Sequence, residues 1–425
     1  MAPSLRRLRV LTQPLRPLCS AAATVRPPQL PLDASTLGIH ADALPPAAPA
    51  DAAPAGQRPW SHDRDVAPPI GVTTTFEAAG DGHMYSRQSA PTRDRCESVL
   101  AALEATPGSP TPHALLYGSG LAACHAILVA LLPTTRRIAV SGGYHGTHQV
   151  IDILKELRTD LEIIELPSAA DAEAVLQPAD LVWLETPRNP MCEVYDIAAY
   201  ANLSCKPAVV VDGTFAPPPM QRALALGATA VMHSTTKYLS GHSDAVGGAL
   251  CVDDNELAER LTAQRTAMGG VPGSLEVWLL LRSLRTLSLR LERHNESATS
   301  VASWLDQSIA DADHPLHRLV VRVWHPSLSH HPGHDVAVRQ MAPRHFGGVL
   351  AVELHSEAAA TALPEALHLF GDATSLGGVE SLVEWRRKYD DTISPLLLRL
   401  SIGLESHVDL QNDLQQAILA TRDLQ

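Results

Sequence analysis

Aromatic residues are scarce in this chain, at 4% of 425 residues, so the few that stand beside glycine-rich or charged segments draw notice. Long apolar runs are missing. None approaches the roughly 20 residues needed to cross a bilayer, which excludes a membrane partner through a spanning helix. Cysteine pairs are missing as well: Cys19, Cys96, Cys124, Cys192, Cys205 and Cys251 are scattered with no CxxC spacing, the usage of a reducing compartment. There is no basic excess. The formal net charge of -13 argues against nucleic acid as a partner. Residues 1 to 32 lack acids and carry Arg6, Arg7, Arg9, Arg16 and Arg26. That is the composition of a mitochondrial presequence, or of an unstructured Arg/Ala/Pro-rich tail broken by Pro14, Pro17, Pro27 and Pro28. The expected location is therefore cytoplasmic or mitochondrial. Residues 41 to 59, rich in Ala and Pro, read as linker.

What is present is a repeating pattern. Short apolar runs at Arg137–Val140, Asp180–Leu184, Ala208–Val211 and Ala228–Met232 alternate with helical segments such as His148–Leu157. Such alternation predicts βαβ units and a mostly parallel sheet with helices on both faces. Each run ends in polar residues: Ser141-Gly-Gly-Tyr-His, Glu185-Thr-Pro-Arg-Asn-Pro, Asp212-Gly-Thr and Ser234-Thr-Thr-Lys. Open α/β sheets bind their ligands at these carboxyl ends. Ahead of them, His113–Tyr117 runs through Gly118-Ser-Gly120 into an Ala-rich helix reaching about Leu132, a strand–turn–helix N-terminus that can cradle an anion. It lacks the GxGxxG spacing and acidic ribose ligand of a dinucleotide site. Tyr85 and Arg87, in a loop entering a helix over Thr92–Glu104, could hold a phosphate by hydroxyl and guanidinium. Leu275 to Leu305 predicts one long helix leading to a smaller α+β domain. In that domain Phe346–Leu354 alternates like a strand, with further strand and turn pieces at Ser375–Val383 and Leu398–Glu405. The expected domains are 1–65 (extension and linker), 66–294 and 295–425. Histidines at 330, 331 and 334 lie in a Pro/Gly turn with no acidic or thiol pattern, and no metal site is expected.

Lysine is rare in this arginine-rich chain, which singles out Lys237 just past a buried strand. Asp212 closes the strand before it. Taken singly, Asp212 could be a turn residue and Lys237 a surface charge. Together they are the pair that a pyridoxal 5'-phosphate (PLP) site needs: an amine to hold the cofactor aldehyde and a carboxylate to keep the ring nitrogen protonated.

The stretch Ser234-Thr-Thr-Lys-Tyr-Leu-Ser-Gly-His-Ser-Asp244, with the segments above, resembles the Cys/Met-metabolism branch of fold-type I PLP enzymes, from about Ile39 to Glu405. The resemblance implies that Lys237 carries the cofactor and moves a proton, that Asp212 pairs with the ring nitrogen and that Tyr144 stacks on the ring. It implies phosphate contacts from Gly120, Leu121, Ser234 and Thr236, with Tyr85 and Arg87 reaching the phosphate of a neighbouring subunit. A homodimer or dimer of dimers with shared sites follows. Asn189 is expected near the cofactor's phenolic oxygen or the substrate carboxylate, and Arg399 and Ser375 in the substrate pocket. The implied activity is carbon–sulfur bond cleavage in cystathionine or a related sulfur amino acid. The alternatives are cystathionine γ-synthase chemistry and, from another class, a PLP-binding protein without turnover. This chain departs from the family at Ala90-Pro-Thr92, at Thr374 where many members place glutamate, and at Glu384-Trp-Arg-Arg-Lys-Tyr-Asp390 in place of a His-Pro segment.

Overall fold

The computed structural model describes residues 33–42, 66–77, 82–106 and 109–425. The presequence-like residues 1–32 and positions 43–59 of the Ala/Pro-rich stretch lie outside them. Seven strands form the main sheet: β1 (His113–Tyr117), β2 (Arg137–Val140), β3 (Glu162–Glu165), β4 (Asp180–Glu185), β5 (Ala208–Asp212), β6 (Ala230–Ser234) and β7 (Gly248–Val252). Their order is β1-β7-β6-β5-β4-β2-β3. From β6 through β3 every pairing is parallel, whereas β7 runs antiparallel to both β1 and β6. The central β4 (Asp-Leu-Val-Trp-Leu-Glu) is buried at all its positions, as expected of a parallel strand covered on both faces. One face packs on Leu128, Ile151 and Leu154 of the helices Gly120–Leu131 and His145–Leu157. The other meets Ile197, Tyr200 and Leu224.

Five strands form a second sheet: β8 (Val320–Trp324), β9 (Val349–Leu354), β10 (Gly371–Asp372), β11 (Leu382–Trp385) and β12 (Leu397–Ser401), in the order β10-β11-β12-β9-β8. Its core takes in Leu305, Val301, Leu363 and Leu414 from the helices around it. The alternation expected over Phe346–Leu354 gives way to near-continuous burial in β9, because helices and neighbouring strands cover both of its faces.

One further sequence expectation needs correction. The single helix over Leu275–Leu305 is two, Ser274–Leu284 and Leu287–Ala310. No proline or glycine marks the break. Arg290 stabilises it by donating to the carbonyl of Ser283 (3.0 Å), an acceptor freed at the helix end, and it ties the break to the loop after Lys237 through the Tyr238 carbonyl (2.6 Å). Nearer the N-terminus, Ala34–His40 is a helix capped by Asp33, whose Oδ1 accepts from Ser35 N–H at 2.8 Å. It packs into the core beside Leu284, where a side chain at Gly38 would meet the Leu284 carbonyl oxygen at 2.7 Å.

Candidate active site

Three neighbouring parallel strands end in functional groups at the same sheet edge. Glu185 of β4 stands in register with Asp212 of β5, and Asp212 with Met232 of β6, two residues before Ser234. Thr214 ties the ends together: its N–H donates to Asp212 Oδ1 (3.0 Å) and its hydroxyl accepts from Ser234 N–H (2.9 Å). The helix Gly120–Leu131 points its N-terminus here, capped by Ser119, whose Oγ accepts from Ala122 N–H at 3.0 Å. A Cβ at position 120 would sit 3.0 Å from Ser234 Cβ. The bare backbone thus opens a cradle between the N-terminus of this helix and a serine hydroxyl, which suits a phosphate. Thr236 follows Ser234 by two residues. Its hydroxyl accepts from Gly247 N–H (3.1 Å) and so braces the loop that follows Lys237.

Tyr144, 41% exposed, caps the next helix, His145–Leu157, with its ring beside Leu121 and Gly146, available to lie over a flat ligand. Its N–H donates to Glu185 Oε2 at 2.6 Å, while Asn189 N–H donates to Oε1 at 2.8 Å. One buried carboxylate therefore fixes both residues. The turn before Tyr144 needs glycine: Gly143 has φ 84°, and a Cβ there would lie 2.5 Å from Glu185 Oε2.

The second domain supplies the rest. Arg399 of β12 is 5% exposed. Its Nη1 donates to Asn189 Oδ1 (3.0 Å) and its Nη2 to the Ser375 carbonyl (2.8 Å), with Glu384 Oε2 at 2.7 Å. Ser375 is held at φ 93°, a conformation that costs a non-glycine residue energy and that clusters at functional sites. Its Oγ accepts from Lys237 Nζ at 2.8 Å. Lys237, Ser375, Arg399, Asn189 and Glu185 thus form one connected set, joined to Asp212 through the register of β4 and β5.

Burial sets the electrostatics. It draws the Lys237 amine down from 10.5 to about 8, helped by Arg399 and opposed by Glu384. It pushes the Asp212 carboxyl up against the N–H and hydroxyl of Thr214. Glu185 is raised to about 7 by burial and by the Asp212 charge. Burial disfavours the charged form of Asp212; a protonated ring nitrogen set against it would favour that form again. The residues present fit PLP: an amine, a counter-carboxylate, an aromatic face and a phosphate cradle.

Tyr85 and Arg87 stand apart from this set. Tyr85 is 44% exposed, and Arg87 lies beside its ring and donates to the Thr266 carbonyl at 2.6 Å. Neither touches Lys237, Asp212 or Ser234 among the described residues. His331 and His334 donate to the carbonyls of Met191 (3.0 Å) and Pro326 (2.8 Å). Sequence reasoning gave no role to Glu185, Thr214 or Glu384. Glu185 carried the same signal as Asp212, an acid closing a buried strand. The other two show their roles only through partners on the neighbouring strand, Ser234 of β6 for Thr214 and Arg399 of β12 for Glu384.

A wound parallel sheet with a lysine, an aspartate and a helix N-terminus at its carboxyl edge, closed by a smaller domain bearing an arginine, defines a PLP-dependent fold-type I enzyme. The model of the family "Cys/Met metabolism PLP-dependent enzyme" matches residues 51–419. The chain is 39% identical over 384 residues to cystathionine gamma-synthase of Mycobacterium tuberculosis, covering 86% of this chain and 95% of that one. It is 35% identical over 388 residues to cystathionine beta-lyase of Coxiella burnetii, covering 86% and 96%. Among solved structures it resembles a cystathionine gamma lyase from Micromonospora echinospora, with TM-score 0.78, 33% identity and coverage of 91% and 99%. The chain belongs to the Cys/Met metabolism family, and PLP is its cofactor.

Proposed function

We propose that the protein is a transsulfuration enzyme that cleaves a carbon–sulfur bond in cystathionine or a related sulfur amino acid. The observation that carries this reading is the Lys237–Ser375–Arg399–Asn189 chain. It sets a base of lowered pKa next to an arginine shaped for an α-carboxylate. When bound, PLP supplies the electron sink for negative charge developing at Cα. Arg399 and Asn189 orient the substrate carboxylate, which fixes the Cα–H bond relative to the base. The Lys237 amine then takes that proton and can return it further along the substrate. Ser375 accepts a hydrogen bond from Nζ and limits where the amine can swing.

A second reading, γ-replacement joining cysteine to an activated homoserine, draws support from the 39% identity to a synthase. Assaying the holoenzyme on cystathionine, and on homoserine esters with cysteine, separates the two. Release of pyruvate or 2-oxobutyrate from cystathionine is expected. Cystathionine formation without keto-acid release would favour the synthase, and cofactor binding with no turnover on any of them would sink both. The exposed Tyr85 and Arg87 support a further element of the proposal, delivery of this pair to the phosphate site of a partner subunit in a homodimer or dimer of dimers. Light scattering that finds a monomer with full activity would count against it.

A further inference from the structure

The loop that follows Lys237 is gripped from behind by one arginine. Arg290 stands in the first turn of the helix Leu287–Ala310 and is 4% exposed. Its Nη1 donates to the Tyr238 carbonyl at 2.6 Å and its Nη2 to the Leu239 carbonyl at 3.3 Å, the two acceptors directly after Lys237. Nη2 also donates to the Ser283 carbonyl (3.0 Å), and Nε to the Thr286 hydroxyl (3.3 Å). Among the described residues no carboxylate pairs with Arg290, and burial draws its guanidinium down to about 10. Burying a cation that is satisfied by neutral groups alone is costly, and capping the helix end at Ser283 needs only one of its donors.

The other donors serve the lysine loop. Gly241 N–H donates to the Lys237 carbonyl at 2.7 Å and closes the turn, which leaves the carbonyls of Tyr238 and Leu239 as freed acceptors. Gly241 is held at φ 67°, and a Cβ on it would fall on the Arg290 guanidinium. Glycine is thus required there by both the turn and the arginine behind it. The same helix face reaches the other half of the site. His294, one turn on, meets the Tyr238 ring edge-on at 5.2 Å between centroids and donates from Nδ1 to the Ile402 carbonyl at 2.7 Å. Ile402 follows β12, the strand that bears Arg399. Residues four apart share one side of a helix, so a single face sets the Lys237 loop against that strand. Beyond it, Ala298, Val301 and Leu305 of the same helix pack into the core of the second sheet.

We propose that Arg290 is a positioning residue for Lys237: its fork on the carbonyls of Tyr238 and Leu239 holds the loop so that Nζ stays within reach of Ser375 Oγ and of a ligand oriented by Arg399. It acts through the loop alone. The inference requires a cofactor carried by Lys237 and no particular carbon–sulfur reaction.

The test uses Arg290→Gln, Arg290→Lys and Thr286→Val, the last removing the acceptor of Nε while leaving the lysine loop unaltered. Each is compared with wild type on its folded fraction, set by urea denaturation. Adding PLP to the apoprotein and following the cofactor's absorbance gives the rate at which Lys237 captures it. Arg290→Gln should slow capture by about tenfold to a hundredfold, the loss that a displacement of about 1 Å brings. Arg290→Lys keeps the charge without the fork and should recover only part. Thr286→Val should lose about two- to fivefold. With the loop released the amine gains solvent. Its labelling by acetic anhydride in the apoprotein, read by mass spectrometry across pH, should then titrate above the wild-type midpoint of about 8. In turnover, kcat should fall with KM nearly unchanged, because Arg399 keeps its contacts. If Arg290→Gln unfolds more easily yet captures PLP at the wild-type rate with an unmoved labelling midpoint, Arg290 is only a helix cap and the proposal is overturned. A rise in KM that matches the fall in kcat overturns it as well. Should Arg290→Gln fail to fold, Thr286→Val decides: slowed capture with a raised midpoint supports the proposal, and anything less overturns it.

Discussion

Replacing Lys237 by methionine should make the cofactor-free protein more stable at neutral pH, although it destroys the active site. The amine is drawn from 10.5 to about 8 by burial and by Arg399, which is roughly 3 kcal/mol of penalty on its charged form. Methionine fills a similar volume without charge. It forfeits the bond from Nζ to Ser375 Oγ, worth about 1 kcal/mol, leaving a net gain of about 2 kcal/mol. The pH dependence carries the sharper test. Because the folded-state pKa is depressed, native and unfolded wild type are both protonated below about pH 8, and the penalty is fully felt. Between about 8 and 10.5 the unfolded chain binds more protons than the native one, so wild-type stability rises with pH. Lys237→Met has no such rise. Urea denaturation of both apoproteins at pH 7 and pH 10 should therefore show an advantage for the variant at pH 7 that shrinks by pH 10. A variant less stable at pH 7, or a gap that ignores pH, would mean the amine is solvated and the account of an activated base is wrong.

Asp212→Asn keeps the shape of the strand end but removes the charge that would hold the ring nitrogen protonated. Turnover should fall by about a hundredfold or more, with the cofactor's absorbance band shifted in a pH titration. Arg399→Ala should raise KM for the amino acid by about a hundredfold while changing kcat less, read from initial rates. Gly248→Ala would place a Cβ 2.2 Å from the Ser119 carbonyl oxygen. It should cost about 1–3 kcal/mol in denaturation midpoint and weaken phosphate retention, measured as cofactor lost on dialysis. Glu185→Ala frees the backbone N–H groups of Tyr144 and Asn189, so cofactor affinity should drop even though Glu185 contacts neither the amine nor the arginine; equilibrium dialysis with PLP reports it.

The strands that carry the chemistry were legible because a parallel strand buried on both faces must be almost uniformly apolar, and the polar residue closing it then stands out. Asp212 after Val209-Val-Val211 and Lys237 after Val231-Met232 are of this kind. So is Gly120, whose turn must admit a helix N-terminus. β7 was not legible. It begins at Gly248, inside a glycine-rich stretch that reads equally as loop, and its place between β1 and β6 is set by pairing with residues far off in sequence. The helix break at Arg285-Thr286 escaped for a similar reason: the group that satisfies it, Arg290, acts through contact with Ser283 and Tyr238 rather than through any local breaker.

Local periodicity and the chemistry of rare residues were thus enough to determine a wound sheet and the strand ends that carry Asp212 and Lys237. Those signals are short-range, and each is repeated at several strand ends. What only the tertiary structure decided is how the second domain completes the site. Ser375 takes a strained backbone to reach Lys237, and Arg399 donates to Asn189 from 210 residues away. Such contacts depend on how two sheets pack against each other, and no periodicity in either segment encodes the partner waiting across that junction.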